Sequence, residues 1–167
     1  MQSFTLLIDN VRDRLYRLAL RMTGDGGEAE DVVQEVIISG WRREAEITQL
    51  DNPPARLLKM THNRAIDHLR SRKSRVANET AAAPSDRCEQ TPHRLTESAD
   101  TLAYIHRLMM RLPDRQRSVL QLREVEDMSY REIAEVTGMS MEQVKVYLHR
   151  GRQQLRQWLI EDEIVNK

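Results

Sequence analysis

Ser129–Arg152 reads SYREIAEVTGMSMEQVKVYLHRGR and places a helix-start signal on each side of a single glycine. Ser129 with Glu132, and Ser140 with Gln143, both fit the capping box, in which a hydroxyl and a side-chain acceptor reciprocally satisfy backbone donors at a helix start. Two helices therefore begin about eleven residues apart, roughly three turns. Gly138 stands where the first must end in a left-handed residue, a conformation that a residue without Cβ adopts at little cost. The first helix is short and the chain turns sharply after it. Small Ala134 faces the crossing, and Ile133, Met139, Val144 and Tyr147 supply apolar contacts that hold a second helix across the first. This is the pattern of a helix-turn-helix.

The second helix of such a unit can enter a DNA major groove and turn its N-terminal residues to base edges. The residues expected on that face are Met141, Glu142, Gln143, Lys145, Val146, His149 and Arg150. A helical hairpin with a solvated charged face is the competing reading. Charge decides between them, because Val144–Arg156 carries Lys145, Arg150, Arg152 and Arg156 without an acid. A one-signed stripe suits phosphate neutralisation better than an ordinary mixed surface.

The 167 residues carry a formal net charge of zero, 31% charged residues and 4% aromatics, so no overall basic excess marks a nucleic-acid binder. The charge is segregated instead. Met1–Ala55 holds ten acids against six bases, whereas His62–Arg75 holds five bases against the single acid Asp67. Local stripes must do any electrostatic steering. The lone Cys88 forbids an intrachain disulfide and permits a reducing compartment. No apolar run approaches the roughly 20 residues that span a bilayer, and MQSFTLLIDNVRDR lacks the form of a signal peptide. A cytoplasmic protein without direct membrane insertion is expected. Cys88, His93, His62 and His68 match no standard zinc spacing, and neither metal nor cofactor is expected.

Apolar residues recur at helical spacing at Leu7, Val11, Leu15 and Leu18, at Val32, Val33, Val36, Ile37 and Trp41, and at Leu57, Leu58, Ala65, Ile66 and Leu69. Trp41 is read as a core residue. Thr23–Gly27 breaks the first helix from the second, and Asp51–Pro54 opens the third. From Val76 to Ser98 the periodicity disappears into a small, polar stretch that cannot bury enough apolar surface to offset its ordering entropy. Beyond it come Leu102, Ile105, Leu108, Met109 and Leu112, then a helix opened by Pro113. The expected fold is all-α: two small helical domains, 1–75 and 99–167, joined by a flexible linker, 76–98. As a random coil that linker spans about 25 Å.

In Glu28–Trp41, Asp31, Gln34 and Glu35 form a polar acidic face largely apart from the apolar stripe. The third helix continues as HNRAIDHLRSRKSR, residues 62–75. Together with LYRLALRMTGDGGEAEDVVQE (15–35) and the block from Leu112 to Arg156, this closely resembles bacterial RNA polymerase sigma factors, specifically the small extracytoplasmic-function (ECF, group IV) class of the sigma-70 family. The resemblance covers about two-thirds of the chain. It implies a sigma-2-like helical bundle and a sigma-4-like helix-turn-helix domain. It also makes Asp31, Gln34 and Glu35 the contacts to the clamp helices of the largest subunit of core RNA polymerase. Asn63, Asp67 and Arg70 become readers of the minus-ten promoter element, with Arg72, Lys73 and Arg75 on its phosphates, and the helix-turn-helix becomes the minus-thirty-five reader.

The family further implies an anti-sigma factor as inhibitor and a flipped-base pocket in the loop Glu44–Asn52. Arg56 and Ile37 stand where the family commonly has aromatics, which weakens any stacking contribution to promoter melting. The expected function is a dissociable, non-catalytic promoter-specificity subunit, acting as a monomer on promoter DNA. A conventional repressor or activator would need a dimer helix or ligand pocket, and neither is obvious. A di-metal carboxylate enzyme would need Glu-x-x-His pairs, and no Glu here has His three positions on. The acidic N-terminal half and the basic recognition helix share one tether, so their association could hide both binding faces in the free chain.

Overall fold

The computed structural model describes residues 3–78 and 97–165, and among these every regular element is helical. The chain divides into two compact units, the first ending at Glu89 and the second beginning at Gln90. The first holds α1 (Phe4–Thr23), α2 (Gly26–Trp41), the single turn α3 (Glu44–Ile47) and α4 (Pro53–Asn78). The second holds α5 (Glu97–Met110), α6 (Asp114–Leu120), a π-helical turn (Gln121–Val125), α7 (Tyr130–Thr137) and α8 (Met141–Val165).

In the first unit, α1 ends at Gly24 (φ 74°), whose N–H donates to the Leu20 carbonyl at 2.8 Å. Asp25 then starts α2 by accepting the Glu28 N–H at 2.8 Å. This two-residue junction lays α2 back on α1, and α4 packs against both. Phe4, Leu15, Leu18, Met22, Leu57 and Leu69 fill the space between them, each at most 2% exposed. Each such side chain contributes about 1.5–3 kcal/mol through burial. Trp41 departs from expectation. It is 46% exposed and meets the Phe4 ring edge-on at 4.9 Å. The reason is Gly40, whose missing Cβ would stand 2.7 Å from Phe4 Cζ, so Phe4 takes the core position and Trp41 lies outside it.

The expected loop Glu44–Asn52 contains α3, pinned by the fully buried Ile47. Asn52 then caps α4 by accepting the Ala55 N–H at 3.1 Å, ahead of Pro53 and Pro54 in the first turn, where missing donors do least harm. α4 continues to Asn78, past the expected end of the domain at Arg75. Its closing turns carry Arg70, Arg72, Lys73 and Arg75, cations that favour the negative end of the helix dipole. α5 is already helical from Glu97, so both edges of the expected linker are helix; residues 79–96, with Cys88 and His93, lie outside the described residues.

In the second unit both capping boxes form. Ser129 and Glu132 exchange bonds at 2.7 and 3.3 Å, and Ser140 and Gln143 at 3.0 and 3.1 Å. Gly138 (φ 72°) closes α7, its N–H donating to the Ala134 carbonyl at 2.9 Å. Ile133 and Val144 are buried as expected, but Val136 and Leu148 complete the crossing, while Met139 and Tyr147 are only partly covered. Leu108, Met109 and Leu112 enter the core, whereas Leu102 remains 60% exposed. Between α6 and α7 the backbone widens into the π turn and closes through Asp127, held at φ 51°.

Candidate functional site

Two surfaces, one in each unit, carry the residues singled out in the sequence. On α2, Asp31 and Gln34 are exposed. Glu35, one turn on from Asp31, leans to the α4 flank of that face: its carboxylate accepts from Arg64 Nε on α4 and lies 3.5 Å from His68 Nε2. The Arg64 hydrogen bond, then His68, holds the Glu35 carboxyl below the usual carboxylate range. One side of α2 is thus stapled to α4, and Glu28 extends the staple by pairing with Arg72 at 3.2 Å. The outward side of α2 continues instead from Asp31 and Gln34 to Ile38 (54% exposed) and Trp41, each three or four residues on from the last. Ile38 and Trp41 were missed in the sequence because apolar residues were assigned to the core.

On α4, Asn63, Asp67 and Arg70 are all exposed at spacings of four and three, which sets them on one stripe. Lys73 and Arg75 are exposed beside them. Arg72 does not join them, because its guanidinium donates to the Thr23 carbonyl at 3.1 Å and to Glu28. These bonds close the α1–α2 junction onto α4, while 41% of the Arg72 side chain stays exposed. Beneath the stripe lies His62, 5% exposed, its Nδ1 3.4 Å from Asn63 Oδ1. Burial lowers its pKa and keeps the imidazole neutral. Arg56, at the start of α4, reaches Glu46 of α3 at 3.8 Å.

On α8, all seven expected residues, Met141, Glu142, Gln143, Lys145, Val146, His149 and Arg150, are exposed. Val144, Leu148 and Gly151 form the buried side. At 100° per residue, Glu142, Val146 and His149 point most directly away from that side, with Lys145 and Arg150 flanking them. A central stripe bordered by cations suits a groove walled by two phosphate backbones. Gln143 is partly committed, since its Oε1 accepts the Ser140 N–H and leaves only its amide donors outward. Gln153, also exposed and four residues beyond His149, lies on the same bearing and escaped the sequence reading.

Among the described residues, no helix is long and apolar enough to cross a membrane. The family model for sigma-70 region 2 matches residues 7–75, and that for sigma-70 region 4 matches residues 102–155. The ECF RNA polymerase sigma factor SigL of Mycobacterium tuberculosis is 32% identical over 143 residues, covering 85% of this chain and 80% of that protein. The ECF sigma factor SigE of Mycolicibacterium smegmatis is 32% identical over 162 residues; the match takes in 95% of this chain but 62% of that longer relative. In fold, the sigma factor RpoE from Bartonella quintana, solved in complex with the anti-sigma factor NepR, is similar with a TM-score of 0.79 at 20% identity, covering 95% of this chain and 98% of that one. The region-2 bundle and the region-4 helix-turn-helix therefore place this chain in the sigma-70 family, among the ECF RNA polymerase sigma factors.

Proposed function

We propose that the chain binds core RNA polymerase through the outward side of α2 and directs it to promoters whose minus-ten element meets α4 and whose minus-thirty-five element meets α8. The observation that carries this reading is the sorting of charge by face. In each unit a set of polar residues remains exposed after neighbouring acids and bases have paired within the fold.

On α2 the contact consists of Asp31 and Gln34 with Ile38 and Trp41. Acids set orientation and on-rate against a basic partner, and the half-exposed aromatic supplies apolar contact area. On α4, Asn63, Asp67 and Arg70 form the hydrogen-bonding stripe for an unpaired strand, with Lys73 and Arg75 near its backbone. Holding such a strand requires both cations and a pocket for an extruded base. On α8, Glu142, Val146 and His149 face base edges, with Lys145 and Arg150 toward phosphates. By analogy with the RpoE–NepR complex, an anti-sigma factor is the inhibitor this chain would meet. The division into domains 1–75 and 99–167 with a tether between belongs to the same proposal, as do its cytoplasmic location and its action as a monomer.

The test is co-purification with core RNA polymerase. Asp31→Arg is expected to weaken association at least tenfold with unchanged thermal unfolding, Trp41→Ala to weaken it less, and Glu35→Gln to leave it near wild type. Full retention by Asp31→Arg would remove α2 as the polymerase contact.

A further inference from the structure

Among the cations of α8, Arg152 is used differently from Arg150. Arg152 Nε donates to Glu124 Oε1 at 2.9 Å, and its Nη2 donates to the same oxygen. Glu124 lies 28 residues earlier, on the π turn. Tyr130 is the first residue of α7. One residue before Glu124, Arg123 donates to the Met128 carbonyl at 2.9 Å and lies over the Tyr130 ring at 5.4 Å. The π turn, α7 and α8 thus meet at one clasp.

Beside the clasp, α8 packs against α6. A Cβ at Gly151 would stand 2.6 Å from Leu120 Cδ1 and 3.2 Å from its Cγ. Leu120 is 2% exposed, enclosed by its neighbours. A Cβ at Gly151 would have to displace Leu120 or push α8 away from α6. Two residues along, a helix has turned about 200°, so Arg150 and Arg152 diverge. Arg150 is exposed on the face with Val146 and His149.

Building on the proposed role of α8, we infer that Arg152 serves promoter binding as a positioning residue. Clasped by Glu124, it fixes the rotation of α8 so that Val146, His149 and Arg150 meet the duplex, and it neutralises no phosphate. The counterion slope separates the two roles, because a lost phosphate contact lowers the slope of log K against log salt by about one, whereas a misplaced helix lowers affinity at every salt concentration.

The experiment measures binding of the full chain, assembled with core polymerase, to a duplex bearing the upstream element of a promoter mapped by in vitro transcription, across a series of KCl concentrations. Arg152→Ala and Glu124→Gln are each expected to weaken binding roughly tenfold with the wild-type slope, while Arg150→Ala lowers the slope by about one. The charge-exchanged pair Glu124→Arg with Arg152→Glu is expected to recover most of the affinity, again with the wild-type slope. A shallower slope for Arg152→Ala would overturn the inference, as would unchanged affinity for Glu124→Gln, a variant that leaves the Arg152 cation in place. An exchanged pair that keeps wild-type thermal unfolding yet recovers no affinity would also overturn it. If the wild-type assembly binds no duplex, the promoter reading of α8 fails as well, which separates that result from the others.

Discussion

α4 and α8 are both long basic helices, but they spend their cations in opposite ways. α4 lies against α1 and α2, and acids of α2 face it, so Arg64 pairs with Glu35 and Arg72 with Glu28. Among the described residues of α8, Arg152 is held by Glu124, while Lys145, Arg150 and Arg156 are exposed on a helix packed along one side only. A basic residue on a buried-flanked helix is thus first a candidate for holding the fold, and one on a helix with a single packed side is first a candidate for a polyanion. On α4, Asn63, Asp67 and Arg70 point outward, while Arg72, 41% exposed, turns part of its guanidinium toward Glu28.

The comparison is broken most severely by attacking the packing beneath the α8 face. Ile133→Ala removes a fully buried side chain from the helix crossing and is expected to cost about 2–5 kcal/mol in denaturant unfolding, with loss of duplex binding. Ser140→Ala removes the hydroxyl that accepts the Gln143 backbone N–H at the start of α8 and is expected to cost about 1 kcal/mol in denaturant unfolding. Asp127→Gly should work in the opposite direction. The φ of 51° strains aspartate and suits glycine, so a gain of up to about 1 kcal/mol is expected despite the greater freedom of the unfolded glycine chain.

The smallest effects are expected on α4. A double-mutant cycle on Glu35 and Arg64 should give a coupling of about 0.2–1 kcal/mol, because both side chains are more than a third exposed and solvent screens them. His62 supplies a pH test of the same unit. Its folded pKa is lowered by burial, so the unfolded chain binds the proton more readily. Stability is therefore full above the unfolded value of about 6.5 and falls as pH drops below it, by at most about 1.4 kcal/mol per pH unit. Thermal unfolding between pH 7.5 and pH 5 should show this loss in the wild type and a reduced loss in His62→Gln.

The sequence made legible what depends on near neighbours. Both capping boxes, the Gly138 turn and the Asp51–Pro54 helix start rest on residues no more than a few positions apart, and each formed. The apolar series of α1, α2 and α4 defined the first core for the same reason. Contacts between distant segments were not legible. Glu35 and Arg64 are 29 residues apart and Glu124 and Arg152 are 28, so nothing local distinguishes them from the exposed Asp31 and Arg150. Trp41 was misjudged because its exposure follows from Phe4 and Gly40 meeting across helices. The π turn adds one residue to a helical repeat without changing its composition, and composition alone cannot register it.

The central claim is that one chain carries both a polymerase-facing helix and a promoter-reading helix and uses them together. Run-off transcription with purified core RNA polymerase on fragments of the source genome tests it most directly. Added chain is expected to produce discrete transcripts from mapped start sites that share upstream elements, and Asp31→Arg is expected to abolish them. Core polymerase giving the same products with and without the chain would contradict the account.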